Sequence, residues 1–577
     1  MEKGNVLSVA TVRHSLSHIM AAAVLEMFPD AKLGIGPAID NGFYYDFDLS
    51  RPLVPADLKS LEKKMRELIN KNLVFESHIE SVEKAIEILK KADQPLKIEL
   101  VKELVSSEPT FYEMKDAATG ETVFADLCAG PHISSTIEIK EIGWKLDKIA
   151  GAYWRGDEKK PMLQRIYGLA FSTKEELVKY EEMVAEAAKR DHKKIGRDLD
   201  LFSFHPQSPG CPFWHEKGMI FWNALESFGK DIRKKYGYIE IKTPILAKNT
   251  LWITSGHWDH YKDGMFTFES GNDVYGLKPM DCPFNILIYK TKPRSYRELP
   301  IRYTEIGRVH RKEQSGELNG LLRVQEITQD DSHLFVREDQ IGAEIKSLIK
   351  MIKEFYSKLT LKPEFFLSTR PEDYMGEIST WDKAEADLRK VLEDEKINYV
   401  LKEKDGAFYG PKIDVDIKDA LGRSWQVATI QLDFQLPGRF DCQYIADTGE
   451  QKIPVMIHAA IFGSFERMIG ILLEHFGGVL PVWLAPVQAK IIPITDKHVD
   501  YAKKIEAELI DKNIRVELDD RNESIGKKIR EAETQKTPFM LIIGDKEIEA
   551  GKVALRQYGE GDKGQVNVDE IIAQILK

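Results

Sequence analysis

The spacing of apolar residues changes along the chain and predicts separate domains. Residues 12–28 predict a helix that ends at a Pro-Asp pair, and the aromatic run 43–47 is typical of a strand. Residues 58–72 carry leucine and methionine at helical spacing among charges, which predicts an amphipathic helix. A mixed α+β segment continues to about Phe171, so we expect a first domain over residues 1–171.

The pattern of apolar and charged residues changes at Ser172, which predicts a domain boundary. Either Ser172 with Glu175 or Thr173 with Glu176 has the spacing of a helix capping box. Sparse apolar residues then recur among charges, as in a solvated helix. We therefore expect a linker helix over residues 172–196.

The next domain, residues 197–483, combines long helices with several strands. Two strand-like runs flank the polar loop 312–320, and the short loop suggests that they pair antiparallel. Ser464 is a typical N-cap for a helix that two glycines close. The predicted elements are a helix at 218–236, strands at 301–311, 322–334, 413–417 and 424–434, and a helix at 465–475.

The last segment, residues 484–577, alternates strands and helices. Strands are predicted at 490–494, 514–518 and 539–543, with helices at 498–512 and 524–534 between them. This alternation is typical of βαβ units and indicates a small α/β domain.

The length and composition of the chain limit the classes of protein to which it can belong. The chain has 577 residues, 43% of them hydrophobic and 30% charged, and at this length about four domains are more plausible than one. Its four cysteines are too few for a disulfide framework, which favours a reducing, cytoplasmic location. We find no signal-peptide pattern and no run of about 18 apolar residues, so we expect no membrane association. The net charge of -11 argues against nucleic-acid binding, yet local basic patches can carry phosphate contacts on an acidic chain.

Two arginines of the central domain predict a nucleotide site. Arg311 ends a predicted strand beside Glu313, and a guanidinium can grip a phosphate while the carboxylate accepts from an exocyclic amine. Arg467 lies at the start of a predicted helix, where the helix N-terminus also favours a polyphosphate. Either arginine alone is more often part of a surface ion pair, but both in this arrangement indicate a nucleotide.

Four residues of the first domain have the spacing of metal ligands. His14 and His18 lie four positions apart on one helix face, and Cys128 and His132 lie four apart around a Gly-Pro loop. By spacing alone this set predicts a four-ligand zinc site, and a structural polar cluster is the alternative.

Three segments carry a resemblance to a known family: Gly276 to Pro283, Gln329 to His333 and Val455 to Arg467. With them the chain resembles the class II aminoacyl-tRNA synthetases, and within that class the threonine-specific family, over nearly all of its length. The resemblance implies an α+β multidomain protein with an antiparallel-sheet class II catalytic core, an α+β editing domain at 1–171 and an α/β anticodon-binding domain at 484–577. The bacterial type begins with an additional ubiquitin-like domain, for which this sequence leaves no room before His14.

The resemblance implies roles around ATP and threonine. Arg311 is expected at the ATP α-phosphate, Glu313 at the adenine and Arg467 as a brace on the nucleotide. The further matches are Arg323, Lys412 and Gln426 on the nucleotide side, and Asp331, Tyr409 and Gln431 around the amino acid.

The resemblance also implies one zinc ion held by Cys282, His333 and His458. Their spacing says nothing by itself, and a lone cysteine is more often a small buried hydrophobe. Three protein ligands leave tetrahedral zinc one open position, which threonine would fill through its amino and hydroxyl groups. Valine lacks the hydroxyl group and would be rejected. Serine keeps it and lacks only a methyl group, which changes the binding free energy in a pocket by about 1–3 kcal/mol. A second, hydrolytic site is therefore expected.

For the first domain, the resemblance favours metal-free hydrolysis of seryl-tRNA by the four-residue cluster, with Asp126 nearby. Ala129 stands where the family usually has an arginine, which removes one expected contact to RNA.

In the last domain, Asn522, Glu547 and Arg556 match positions that contact anticodon bases in the family. A group of basic residues is either part of an RNA surface or a solvated helix face. Its members are Arg521, Lys527, Lys528 and Arg530.

The resemblance implies a homodimeric ligase whose dimer interface lies around Pro244. We expect it to activate threonine with ATP and Mg²⁺, to transfer the threonyl group to tRNA(Thr), and to hydrolyse seryl-tRNA(Thr). The rivals are a proline- or histidine-specific class II synthetase and a catalytically inactive paralogue that binds RNA as a regulator. The residues of the predicted nucleotide and zinc sites argue against both.

Overall fold

The structure is a computed structural model that describes residues 8–104, 108–157 and 159–577. The first seven residues, on which the expectation of no signal peptide partly rests, lie outside this range. Tertiary contacts divide the chain into two compact units, one up to Ala185 and one from Glu186. The domain boundaries at 171, 196 and 483 stay predictions.

The first helix, Val9–Met27, is the central element of the N-terminal unit. Every residue from Ser15 to Val24 is buried, because small side chains let neighbouring elements enclose this stretch on all sides. The predicted helix at 12–28 is therefore confirmed. As a result, His18 lies inside the unit, and His14, one turn earlier, is partly buried.

Two sheets pack around this helix. The five-stranded sheet contains Lys32–Leu33, Ala38–Ile39, Gly42–Asp48, Gly143–Tyr153 and Met162–Phe171, and the three-stranded sheet contains Leu73–Ile79, Thr110–Asp116 and Thr122–Leu127. The remaining helices are Pro55–Asn70, Val82–Lys91 and Pro95–Lys102, with single 3-10 turns at Thr136–Ile139 and Trp154–Gly156. The predicted strand at 43–47 and helix at 58–72 are confirmed. The chain leaves the strand Thr122–Leu127 directly into the loop of Cys128 and His132.

The predicted linker helix is wrong in one respect: it consists of two helices, Lys174–Lys189 and His192–Asp198. At the start of the first of these helices, the Thr173 hydroxyl accepts a hydrogen bond from the Glu176 N–H at 3.2 Å. Of the two candidate caps, Thr173 with Glu176 is therefore the one that forms. The break between the helices is produced by Asp191, whose carboxylate accepts from the Lys193 N–H at 2.7 Å and begins a new helix.

The C-terminal unit is built on an eight-stranded sheet. Its six inner strands run antiparallel, and a strand pairs in parallel at each edge. The order across the sheet is Ile239–Glu240, Ile301–His310, Glu326–Val336, Val455–Ala460, Ser424–Asp433, Lys412–Lys418, Pro363–Ser368 and Tyr399–Lys402. The antiparallel pairing predicted from the loop at 312–320 is confirmed.

The second strand of that pair begins at Glu326, later than the predicted Leu322. Leu322 instead lies in a turn in which its N–H donates to the Asn319 carbonyl at 2.9 Å. Leu321 and Leu322 are buried for tertiary reasons, so their hydrophobicity mimicked a strand.

Helices and short strands surround the large sheet. Two of these helices, Glu216–Lys235 and Phe465–His475, confirm the predicted helices at 218–236 and 465–475. The other helices are Asn249–Ser255, His257–Tyr261, Cys282–Tyr289, Ile341–Lys358, Ile378–Asp394 and Leu436–Arg439. The smaller sheets pair Phe202–Ser203 with Phe213–Trp214, Tyr444–Ile445 with Gln451–Lys452, and Asp273–Leu277 with both Leu246–Lys248 and Thr267–Ser270.

The chain ends in an α/β subdomain with its own core. Its sheet order is Val516–Leu518, Ala489–Pro493, Phe539–Ile543, Val553–Gln557 and Gly561–Val566, of which the first three are parallel and confirm the predicted βαβ units. The helices are Val499–Asp511, Ile525–Thr534, Asp545–Ala550 and Val568–Ile575. Among the described residues, no helix has both the length and the apolar character needed to cross a bilayer.

Candidate functional sites

The two predicted nucleotide arginines line one cavity of about 310 Å³ beside the large sheet. Arg311 follows the strand Ile301–His310, and Arg467 lies in the first turn of the helix Phe465–His475. The Ser464 hydroxyl caps that helix by accepting from the Arg467 N–H at 3.1 Å, as predicted. Glu313, Arg323 and Gln426 line the same cavity, so five of the six predicted nucleotide residues meet there.

Three arginines and one glutamate line the cavity, so its lining carries a net positive charge. Burial, followed by repulsion from Arg323 and Arg311, lowers the pKa of Arg467. Arg323 is held by Glu313 at 2.8 Å and by Glu317 at 2.8 Å. Three guanidinium groups converging on one cavity favour a polyphosphate, because an anion relieves their mutual repulsion.

Lys412, the sixth predicted nucleotide residue, is tied to the cavity wall through Asp414. The fully buried Asp414 carboxylate accepts from Lys412 Nζ at 2.9 Å and from Gln426 Nε2 at 2.6 Å. It also accepts from the hydroxyl groups of Ser368 and Thr429 at 2.9 and 3.3 Å. Asp414 could not be predicted from the sequence, because alternation in a strand does not distinguish a buried carboxylate from an exposed one.

A second cavity of about 280 Å³ adjoins the first. Arg311 and Gln329 line both cavities, which places the two sites side by side. The predicted amino-acid residues Asp331, Tyr409 and Gln431 line it, and the Tyr409 hydroxyl donates to the Gln431 side chain. The predicted zinc ligands Cys282, His333 and His458 lie in its wall.

The three predicted zinc ligands fit that ion. Their ligand atoms lie within 4.8 Å of one another, and all three side chains are buried. The antiparallel register places His333 directly beside His458. Burial, and then the negative charges of Asp331 and Asp433, raise the pKa of the Cys282 thiol, whereas burial lowers the pKa of His333. One sulfur and two neutral imidazoles are a zinc donor set, and a cation there would relieve the cost of a buried thiolate.

His257, which the sequence analysis missed, lies beside this cluster. Its ring is fully buried, with Nε2 3.8 Å from Cys282 Sγ and 3.1 Å from Met280 Sδ. Burial is the largest cause that lowers the pKa of His257 to about 4. The position of His257 in the sequence has no regular spacing from Cys282, His333 or His458. Only the fold places it beside them.

The four-residue cluster of the first unit is assembled as predicted. Cys128 Sγ lies 3.3 Å from His14 Nε2 and 3.4 Å from His132 Nε2, and all four candidate ligand atoms are within 4.8 Å of one another. Burial lowers the pKa values of His14 and His18, and it lowers the pKa of His132 to about 2. Burial also raises the pKa of Cys128. The cluster is therefore a set of neutral imidazoles beside a thiol at neutral pH.

Asp126 is buried next to the cluster. It contacts Lys97 and Tyr45, neither of which was predicted from the sequence. Its carboxylate pairs with Lys97 Nζ at 2.7 Å, accepts from the Tyr45 hydroxyl at 2.5 Å and lies 3.7 Å from His18 Nδ1. Burial, and then Asp126, raise the pKa of Tyr45 well above its ordinary value. Lys97 could have been found from the sequence, because it is a lysine at a core position of the short helix Pro95–Lys102.

The three predicted anticodon residues lie in different elements of the last subdomain. Arg556 is on the strand Val553–Gln557 and pairs with Glu533 at 3.1 Å, and Glu547 is in the helix Asp545–Ala550. Asn522 is exposed in the loop after the edge strand Val516–Leu518, and two strands separate that strand from the one with Arg556.

The basic group near Asn522 is not one solvated face. Lys528 is buried and donates to the Asp519 carbonyl at 2.8 Å, so its role is structural. Arg521 pairs with Asp519 and Glu531, both at 2.6 Å, and Lys527 pairs with Glu523. Of the four, Arg521, Lys527 and Arg530 are exposed and Lys528 is not.

Family models match three parts of the chain. Residues 266–476 match the tRNA synthetase class II core domain (G, H, P, S and T), and residues 488–577 match an anticodon binding domain. Residues 110–167 match the threonyl and alanyl tRNA synthetase second additional domain.

Whole-chain relatives agree with these matches. The threonine–tRNA ligase of Clostridium tetani is 51% identical over 98% of this chain and 87% of its own length, and that of Caldanaerobacter subterraneus is 51% identical over 98% and 86%. Among solved structures, the RNA binding domain of threonyl-tRNA synthetase from Cryptosporidium parvum is 41% identical, with a TM-score of 0.65, over 67% of this chain and 98% of its own.

Proposed function

Because this chain belongs to the threonine–tRNA ligase family of class II aminoacyl-tRNA synthetases, we propose that its two adjoining cavities hold the two substrates of threonine activation. The enzyme activates threonine with ATP, charges tRNA, and edits mischarged tRNA in its N-terminal unit. The observation that carries the assignment of the cavities is that Arg311 and Gln329 line both. ATP in one and threonine in the other would meet at Arg311.

The arginine cavity supports a charge-neutralising mechanism. The threonine carboxylate attacks the α-phosphorus of ATP, the bond to the β-phosphate oxygen breaks, and pyrophosphate leaves with the magnesium ion that accompanies ATP. Arg311 stabilises the negative charge that develops on the α-phosphate, and Arg467 neutralises the departing phosphates from the helix start. Glu313 would contact the adenine, and Arg323 and Gln426 would line the nucleotide side, with Gln426 held in place by Asp414.

The amino-acid cavity supports selection by a hydroxyl group. Cys282, His333 and His458 would hold one zinc ion, which when bound supplies a Lewis acid for the amino and hydroxyl groups of threonine. Asp331 offers a carboxylate that can accept a hydrogen bond from the amino N–H of threonine, and Gln431 and Tyr409 close the pocket by their mutual hydrogen bond. A site built to hold a hydroxyl group rejects valine strongly but serine weakly.

The N-terminal cluster supports hydrolysis of seryl-tRNA without a metal ion. Its imidazoles are neutral, so a ring nitrogen can accept a hydrogen bond from water, and the Asp126 carboxylate is already paired with Lys97 at 2.7 Å. His14, His18, Cys128 and His132 surround the space in which the ester would be placed.

The proposal extends to partners. Asn522, Glu547 and Arg556 would contact the anticodon of tRNA(Thr), and the scarcity of cysteine supports a cytoplasmic location. The enzyme would act as a homodimer through the segment around Pro244, since Ile239, Ile245 and Leu246 beside it are exposed apolar residues.

Metal content and threonine-dependent pyrophosphate exchange test the synthetic site together. We expect one zinc ion per chain, lost in Cys282→Ala together with discrimination against valine. Cys442→Ala is the matched control, because Cys442 is a buried thiol in the same apolar cluster. Exchange with proline or histidine instead of threonine would contradict the assignment, and no adenylate formation by zinc-replete protein would favour the inactive paralogue.

Deacylation of preformed seryl-tRNA(Thr) tests the editing site. His14→Ala and His18→Ala should each slow hydrolysis strongly while threonine activation stays unchanged. Equal hydrolysis by the variants and the parent enzyme would refute the assignment. Zinc retained at one ion per chain in Cys128→Ala would support the metal-free interpretation.

A further inference from the structure

Ser15 lies at the back of the editing cluster, one residue after His14 on the first helix. Its side chain is fully buried, and its hydroxyl has three polar neighbours. Oγ lies 3.1 Å from His132 Nδ1, 2.9 Å from the Thr11 carbonyl oxygen and 3.0 Å from the Ile133 backbone nitrogen. The serine thus joins the helix to the loop that carries His132.

The three contacts of Ser15 Oγ determine where its hydroxyl proton lies. A hydroxyl group has one proton to donate and two lone pairs that accept. The Ile133 N–H occupies one lone pair, and the Thr11 carbonyl can only accept, so the hydroxyl proton points to Thr11. If that proton pointed to His132 instead, two oxygen atoms would face each other at 2.9 Å without a proton between them. The remaining lone pair therefore faces His132 Nδ1, which must carry the ring proton.

We propose that Ser15 is a positioning residue of the editing reaction, which fixes His132 as the tautomer protonated at Nδ1 and leaves the Nε2 lone pair facing the cluster. The inference rests on the proposed hydrolytic role of this site. Neighbouring aromatic groups keep the ring in this orientation. The ring stacks on Phe75 with centroids 5.0 Å apart, and Tyr112 packs against it edge-on at 4.6 Å.

The Nε2 lone pair, which faces the cluster 3.4 Å from Cys128 Sγ, has a defined task in ester hydrolysis. As the oxygen of water bonds to the ester carbonyl carbon, a water proton passes to His132 Nε2. The bond between that carbon and the ribose oxygen then breaks, and the proton passes on to the leaving ribose oxygen. Serine and the free hydroxyl of the tRNA result. A histidine protonated at Nε2 could not accept the first proton.

The same helix offers a matched control. Ser17 is also fully buried, two residues further on, and its hydroxyl contacts the carbonyl oxygens of His14 and Gly36 at 2.7 and 2.6 Å. Ser17→Ala therefore removes a buried serine hydroxyl from the same helix without removing the neighbour of His132 Nδ1.

The experiment compares Ser15→Thr with Ser15→Val in the full-length enzyme. The two replacements have nearly the same shape, but only threonine keeps a hydroxyl group, and in a helix that group can still bond the carbonyl four residues back. We expect Ser15→Thr to deacylate seryl-tRNA(Thr) like the parent enzyme. Ser15→Val and Ser15→Ala should lose roughly tenfold in kcat, a part of what a general base contributes, with KM unchanged. Ser17→Ala should retain kcat, and threonine-dependent pyrophosphate exchange should be unchanged in all four.

A spectroscopic readout separates orientation from stability. Nitrogen-15 spectra of histidine-labelled enzyme, with the His132 signal assigned by its loss in His132→Gln, should show Nδ1 protonated in the parent and a mixed tautomer in Ser15→Val. Equal kcat for Ser15→Val and Ser15→Thr would overturn the inference about Ser15, and if His132→Gln still abolished deacylation the proposed editing site would stand. Full deacylation by His132→Gln would overturn both.

Discussion

Asp433 accepts a hydrogen bond from the Nε2–H of His458 over 2.9 Å, and both side chains are buried. The same carboxylate accepts from the backbone N–H groups of Gln435 and Leu436 at 2.7 and 3.0 Å, so it is held in place. A carboxylate can only accept, which fixes the proton of His458 on Nε2 and leaves Nδ1 as the atom for a metal ion. A carboxylate behind a ligating histidine orients the ring and raises its basicity.

Replacing Asp433 by asparagine should weaken zinc binding by about 10- to 100-fold, the usual effect of losing such a partner. The amide can still meet the ring but no longer carries the charge that favours a ligating imidazole. Competition with a chromophoric chelator would measure the affinity. Asp441→Asn, an exposed carboxylate nearby in the chain, should bind zinc like the parent enzyme. Equal affinities in the two variants would show that Asp433 only supports the fold.

Asp414 should matter for ATP more than its buried position suggests. In Asp414→Asn the carboxylate that holds Lys412 and Gln426 loses its charge, and a hydrogen bond to a charged group is worth about 1.5–3 kcal/mol. We expect the KM for ATP in pyrophosphate exchange to rise at least several-fold. Asp416→Asn is the control on the same strand, since its carboxylate accepts from Ser424. An unchanged KM for ATP in Asp414→Asn would mean that Gln426 is held by other contacts.

The N-terminal unit should lose stability in acid. The folded pKa values of His14, His18 and His132 lie below the ordinary value near 6.5, because burial disfavours the charged ring. Their stabilising contribution is complete above pH 6.5 and falls as the pH decreases below it, since the unfolded chain then binds more protons. For His132, whose pKa in the folded protein is about 2, this loss is about 1.4 kcal/mol at pH 5.5.

Hydrogen exchange of peptides from the helix Val9–Met27, corrected for the intrinsic pH dependence, would measure this loss between pH 7.5 and 5.5. His132→Gln should make the helix less sensitive to pH. His78→Gln, which alters a partly exposed histidine of the same unit, should leave the sensitivity as it is. If all three proteins responded equally, another group would have to titrate.

Arg556→Ala should impair charging of tRNA but not threonine activation. Its ion pair with Glu533 is partly exposed, so the cost in stability is within about 1 kcal/mol. We expect the KM for tRNA(Thr) to rise roughly tenfold, as one lost base contact implies, with threonine-dependent exchange unchanged. Lys563→Ala, on the neighbouring strand, serves as the control for loss of a basic side chain. Equal KM values would remove Arg556 from the anticodon contacts.

Local patterns in the sequence predicted much of the fold. The helix at Val9–Met27, the Ser464 cap that places Arg467 in a first helical turn, and the three parallel strands of the last subdomain follow from spacing, capping and alternation. The errors lie where tertiary packing overrides a local signal. Leu321 and Leu322 are apolar because a turn is buried, and Asp191 divides the linker because its carboxylate caps a new helix.

The sequence by itself determined which groups are available: two arginines in an arrangement that indicates a nucleotide, and three histidines and a cysteine of the first domain at the spacing of metal ligands. The zinc ligands Cys282, His333 and His458 and the hydrolytic role of the first cluster came from the resemblance to a family. Only the tertiary structure decided how these groups are used. His333 meets His458 through a long-range strand register, and no local pattern encodes that register. The buried partners Asp414, Asp433, Lys97 and Ser15 likewise gain their roles from burial, because a polar group removed from water must find a partner and thereby orients it.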